Sequence, residues 1–99
     1  MTVNNFDNVD MIVRNKDESI SMIIIEHRDW KKINRPLVWL AIKTRLYREY
    51  AKTETFKKKH NSSKPIRIIL ATKHNPPVEI RKFLTKENIT IHIIDLKGG

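Results

Sequence analysis

Apolar side chains gather between Val9 and Arg14, Asn15 to Ser19 is polar and turn-like, and Ile20 to Glu26 is β-branched and almost continuously apolar. A short apolar run bounded by turn residues marks a strand, and a nearly unbroken one marks a strand covered on both faces. Residues 9–27 therefore predict a β-hairpin, with no Asn-Gly pair in the turn to fix its register. Counting outward from a turn centred on Asp17 sets Asp10 opposite Ile24. Side chains two apart along a strand share a face, so Glu26 and Arg28 fall on the side of Asp10.

Residues 28–34 are polar around Trp30, and Pro36 fits the first turn of a helix with Asn34 as its cap. The main helix is expected over residues 35–53. At about 100° per residue its apolar positions sweep a wide arc through Ile42, Leu46, Trp39, Tyr50, Tyr47, Leu40, Ala51 and Leu37. Arg45, Arg48 and Glu49 hold a narrow polar side. That breadth predicts burial against the sheet and also against another element or a second copy of the chain, a homodimer through the helix of Trp39 and Leu46. Lys43 falls near the middle of the arc, where a lysine is expected to snorkel, stem buried and ammonium in water. Residues 54–65 read as a basic loop. Ile66 to Ala71 is a strand; Asn75-Pro76-Pro77 opens a helix to Lys86, with Ile80, Phe83 and Leu84 inward and Asn88 ending it; Ile89 to Ile94 is the last strand. The order is β-β-α-β-α-β: one α/β or α+β domain over residues 1–99, two helices covering a mixed sheet.

A length of 99 residues fits one domain with a modest core. The absence of cysteine excludes disulfides, thiolate chemistry and Cys-based zinc sites. Met1 to Asn8 has no basic-then-apolar leader pattern, and the longest apolar run, Met22 to Ile25, is too short to cross a bilayer. The expectation is a cytoplasmic domain with no membrane partner. Charge sharpens this. The formal net charge is +9, unevenly spread: residues 1–27 hold two basic and five acidic residues (net −3), residues 28–99 eighteen and six (net +12). Such a one-signed surface favours polyanions. Lys31, Lys32 and Arg35 at the helix start, with Lys57, Lys58, Lys59 and Lys64 in the basic stretch, predict a continuous positive rim. It would engage nucleic acid, through phosphates and with little sequence preference, or an acidic protein surface. The small size fits an inhibitor or accessory factor in a phage–host or toxin–immunity conflict.

The candidate chemistry is at the hairpin. Asp10 on one strand and Glu26-x-Arg28 at the end of the next bring together two carboxylates and a cation, a set able to hold Mg²⁺ and stabilise phosphoryl charge. A plainer reading makes Glu26 and Arg28 an ion pair at a strand end and Asp10 a solvated strand start. His27, His60, His74 and His92 have no paired metal spacing. Gly98-Gly99 is superficially like a modifier tail, which the second helix and the basic stretch do not suit. The binding reading needs no cofactor.

Val9-Asp10-Met11-Ile12-Val13, with Ile23-Ile24-Ile25-Glu26-His27-Arg28, resembles the two motif strands of the PD-(D/E)xK nuclease superfamily, and the later elements are similar in order to that core. The resemblance implies a compact Mg²⁺-dependent nuclease with Asp10 and Glu26 as metal ligands. Arg28 stands at the motif lysine, and Lys43 is the substitute if that lysine has moved onto the neighbouring helix. The same stretch through Asp29-Trp30, the Leu-rich helix ending in Tyr, and the Pro-Pro turn also resembles a family of short bacterial and phage-type proteins of unknown function. That likeness runs nearly the full length and implies an autonomous small domain without supplying an activity.

Overall fold

In the computed structural model, which describes residues 10–61 and 64–94, strand β1 (Met11–Arg14) pairs antiparallel with β2 (Ile20–Glu26). Met11 lies opposite Ile23 and Arg14 opposite Ile20, the register counted from Asp17. Polar side chains fix the turn in place of an Asn-Gly pair. Asp17 accepts the Ser19 hydroxyl at 2.6 Å and the Ser19 N–H at 3.0 Å, and Glu18 takes the left-handed conformation (φ 71°). The two Ser19 bonds, then the charges of Lys64 and Arg67, hold the Asp17 carboxyl below its ordinary range.

After β2 come a 3₁₀ turn (Trp30–Lys32), α1 (Pro36–Ala51), α2 (Glu54–Lys59), β3 (Arg67–Thr72), α3 (Val78–Lys86) and β4 (Thr90–Ile93). β3 runs parallel to β2 and β4 parallel to β3, so the sheet order is β1-β2-β3-β4. The class is α+β: a mixed four-stranded sheet with three α-helices. Both parallel crossovers step one strand over in the same direction, and right-handed connections of that kind leave their helices on one face. α1 and α3 accordingly pack against each other. Ile20, Met22 and Ile24 of β2 and Ile68 and Leu70 of β3 meet Leu40, Tyr47, Phe56, Ile80 and Leu84 in the core. On the other face Met11 is exposed, and Val13, Ile23, Ile25 and Ile69 are half-buried. No helix of the described residues is long and apolar enough to cross a membrane. Gly98 and Gly99 lie outside the described residues.

Two expectations are corrected. Residues 54–59 of the supposed loop are the helix α2: the Thr53 hydroxyl accepts the Phe56 N–H at 3.2 Å, and the buried Phe56 ring meets Tyr50 edge-on, centroids 5.3 Å apart. A cap and one buried aromatic are enough to organise a turn and a half of helix. Asn34 does not cap α1. Arg35 stands at the cap in the left-handed conformation (φ 53°) with no side-chain bond, and Pro36 follows.

If α2 is held by its aromatic contact, Phe56→Ala lowers unfolding free energy by about 3–5 kcal/mol, read as a lower urea midpoint. A midpoint equal to the parent chain's would mean that the segment adds nothing to the core.

Candidate functional site

The parallel strands give the sheet two unlike ends. The carboxyl ends of β2, β3 and β4 lie together with the start of β1, and the chain folds there around two charge pairs. In the first, Lys43 Nζ of α1 donates to Asp10 Oδ2 at 2.7 Å, with the side chains only 1% and 2% exposed. The same carboxylate oxygen accepts the Ile25 N–H at 2.9 Å, satisfying a β2 amide just before β1 begins. Tyr47, one turn after Lys43, accepts the Asp10 N–H at 2.8 Å and donates to the Ile23 carbonyl at 3.1 Å. Helical side chains lean toward the helix N-terminus, which lets Lys43 and Tyr47 reach back to this end of the sheet. Lys43 Nζ also stands 5.8 Å from the centre of the Tyr47 ring. Burial, together with the neighbouring Asp10 carboxylate, pushes the Tyr47 hydroxyl well above the ordinary tyrosine range.

In the second pair, Glu26 is fully buried and holds Arg28 through both carboxylate oxygens. Arg28 Nε donates to Oε2 at 3.1 Å and its terminal nitrogen to Oε1 at 2.9 Å, while the Arg28 backbone N–H also reaches Oε2 at 2.9 Å. This bidentate bond raises the Arg28 pKa further and fixes a guanidinium that is 30% exposed. Beside it, the buried Trp30 indole N–H donates to Thr72 Oγ1 and to the His74 carbonyl, each at 3.0 Å. Those bonds pin the turn bearing Lys31 and Lys32 against the exit of β3, where Lys73 is exposed. Arg35 and the first turn of α1 follow at the same end.

The residues singled out in the sequence are thus distributed as follows. Asp10 and Lys43 meet, as do Glu26 and Arg28. Lys43 does not snorkel and Asp10 is not a solvated strand start; each is the other's buried counter-ion. Every carboxylate oxygen described at Glu26, and Oδ2 of Asp10, already accepts from a cation, and among the described residues no group of three or more His, Cys, Asp or Glu could hold a metal ion. The donor set as arranged therefore does not fit Mg²⁺. The continuous rim is corrected as well. Lys31, Lys32 and Arg35 precede α1, while Lys57, Lys58, Lys59 and Lys64 follow it, and its 16 residues span about 24 Å. They form two basic groups at opposite ends of the sheet. Lys64 bonds the Asp17 carbonyl and stands 3.9 Å from its carboxylate. Sequence reasoning did not single out Tyr47, Thr72 or Lys73 for this site. A tyrosine one turn after a lysine in an apolar arc was the available signal for the first.

A hollow of about 410 Å³ opens at the other end of the sheet between Met22, Ala51, Ile66 and Ile68, with Arg48 and Lys52 at its rim. None of the residues singled out for the site lines it.

Compared with known proteins, residues 1–97 match the model of a family described as a family of unknown function, DUF6572. No curated protein and no solved structure gives a significant match.

Removing one partner of a buried ion pair leaves an uncompensated charge, so Lys43→Met lowers stability by about 3–5 kcal/mol. Adding Asp10→Asn, which keeps an acceptor for the Ile25 N–H, recovers a large part of that loss in chemical denaturation; a double variant as weak as the single one would argue against the pairing. Tyr47 supplies a pH dependence. Its folded pKa is raised, so its contribution is complete below about pH 10, the ordinary tyrosine value, and fades at higher pH as the unfolded chain ionises first. Tyr47→Phe should therefore show a shallower alkaline loss of stability than the parent chain, measured by urea midpoints on either side of that pH.

Proposed function

The chain belongs to DUF6572, a family whose description carries no activity, and from its charges we propose a non-catalytic domain that binds the phosphate backbone of a nucleic acid. The contact surface is the carboxyl end of the parallel strands, with Lys31, Lys32, Arg35 and Lys73 as point charges and Arg28 as a fixed guanidinium. One observation carries the reading: the Trp30 indole bonds hold Lys31 and Lys32 beside Lys73, while the acid at the end of β2, Glu26, is turned inward onto Arg28. Asp29 is engaged as the cap of the 3₁₀ turn, accepting the Lys31 N–H at 3.0 Å, and Glu79 lies in the first turn of α3. α1 and α3 both begin at this end without a side-chain cap, so their positive dipole ends add to the field.

The aromatic side chains support backbone contact over base reading. Trp30 is buried by its own bonds and Phe56 by α2, which leaves neither as a stacking platform. Phosphate contacts position a protein without carrying sequence information, so the expected binding is sequence-tolerant and strongly salt-dependent. The inward pairing of Asp10 and Glu26 favours this reading over the Mg²⁺-dependent nuclease. That alternative would gain if the parent chain cleaved DNA or RNA with magnesium and Glu26→Gln abolished the cleavage.

Fluorescence anisotropy with short DNA and RNA oligomers at increasing salt tests the proposal. Four or so phosphate contacts give a slope of log K against log salt of about −3 to −4. Lys31→Ala with Lys32→Ala and Lys73→Ala should flatten that slope by about 2–3 and weaken binding to all sequences alike. Affinity indifferent to salt, or unchanged in the triple variant, would refute it.

A further inference from the structure

Helix α1 turns Leu40, Lys43, Thr44 and Tyr47 to the core and its opposite side outward. The outward side carries Arg45 and Glu49 and, beside them, an apolar stripe. Val38 is 48% exposed, Ile42 37% and Leu46 43%, at successive i+4 steps, and α1 supplies four of the seven large apolar side chains left exposed among the described residues. Such a stripe on a helix is unusual for a surface facing water alone.

Its surroundings suit a second copy of the same helix. About a two-fold axis at Ile42, an antiparallel copy of α1 sets Ile42 against itself, Leu46 against the partner's Trp39, and Glu49 level with the partner's Arg35 at the helix cap. The seam Trp39, Ile42, Leu46, Glu49 follows alternating steps of three and four, the spacing that keeps one side of a helix along a partner helix, and Arg35 is the cap residue just before it. The layers match: apolar on apolar at the centre and next to it, opposite charges at the ends. We propose that the chain forms a two-fold dimer in which α1 packs antiparallel against the partner's α1, in this register.

The dimer stands on α1 alone and does not depend on the nucleic-acid reading. It has a consequence for the basic groups. Antiparallel pairing brings Lys31, Lys32 and Arg35 of one protomer level with the partner's Lys57, Lys58 and Lys59.

Sedimentation of the full chain across the micromolar range, without nucleic acid, tests the interface. The parent chain should sediment as a dimer. Ile42→Glu and, separately, Leu46→Lys should give monomers with unchanged far-ultraviolet dichroism, since both positions are exposed. Arg35→Glu or Glu49→Arg alone sets like charges opposite each other and should weaken the dimer about tenfold, while the two together restore it. A parent chain monomeric throughout, a dimer that survives Ile42→Glu, or a double charge swap no tighter than the single ones would overturn the proposal.

Discussion

The fold is organised around an ammonium group placed where water does not reach. Lys43 lies on the inward side of α1, and its charge is met by Asp10 at the start of the edge strand β1. Neither charge is tolerable there alone, because transferring an ion out of water is compensated only by close pairing and further hydrogen bonds. Asp10 supplies both: its oxygen also takes the Ile25 N–H, and its own N–H goes to Tyr47. β1 is only four residues long and has limited apolar surface to hold it. The ion pair and the tyrosine therefore locate the strand as much as its ladder with β2 does. An apolar pair of similar volume could match the stability without fixing which residue of β1 meets which turn of α1.

The same chemistry shapes the surface. Two of the acids at the carboxyl end of the sheet, Asp10 and Glu26, are consumed internally, one by Lys43 and one by Arg28. Lys31, Lys32, Arg35 and Lys73 stay outside and exposed. The positive field at this end is thus a product of folding as well as of composition. At the opposite end Asp17 and Glu18 of the hairpin turn stand beside Lys64, Arg67 and Arg14, and Glu54 opens the helix that carries the other lysines. That contrast is why the proposed polyanion contact is assigned to the carboxyl end, and why a net charge of +9 is by itself an incomplete guide to placing one.

Local patterns carried much of the fold. Counting about Asp17 yields the observed hairpin register because side-chain alternation leaves few choices once the turn is centred. Asn75-Pro76-Pro77 and Asn88 bracket α3, with Asn88 in the left-handed conformation (φ 58°) that ends helices. α2 was illegible because three consecutive lysines mask the one apolar anchor, Phe56, whose partner Tyr50 sits on the preceding helix. Lys43 posed a different difficulty. Its counter-ion is 33 residues away, and nothing in the local pattern separates a snorkelling lysine from a buried one. The supposed rim failed for a reason of direction: residues 31–35 and 57–64 were grouped by sign of charge without the length of α1 that lies between them.

Hydrogen exchange by nuclear magnetic resonance on the Lys43 ammonium and the Ile25 amide tests the buried pair most directly. Both should exchange only through opening of the core, far more slowly than surface lysines and edge amides, and both should lose protection together in Asp10→Ala. A Lys43 ammonium exchanging as fast as that of Lys57, in a chain whose core amides stay protected, would contradict the pair.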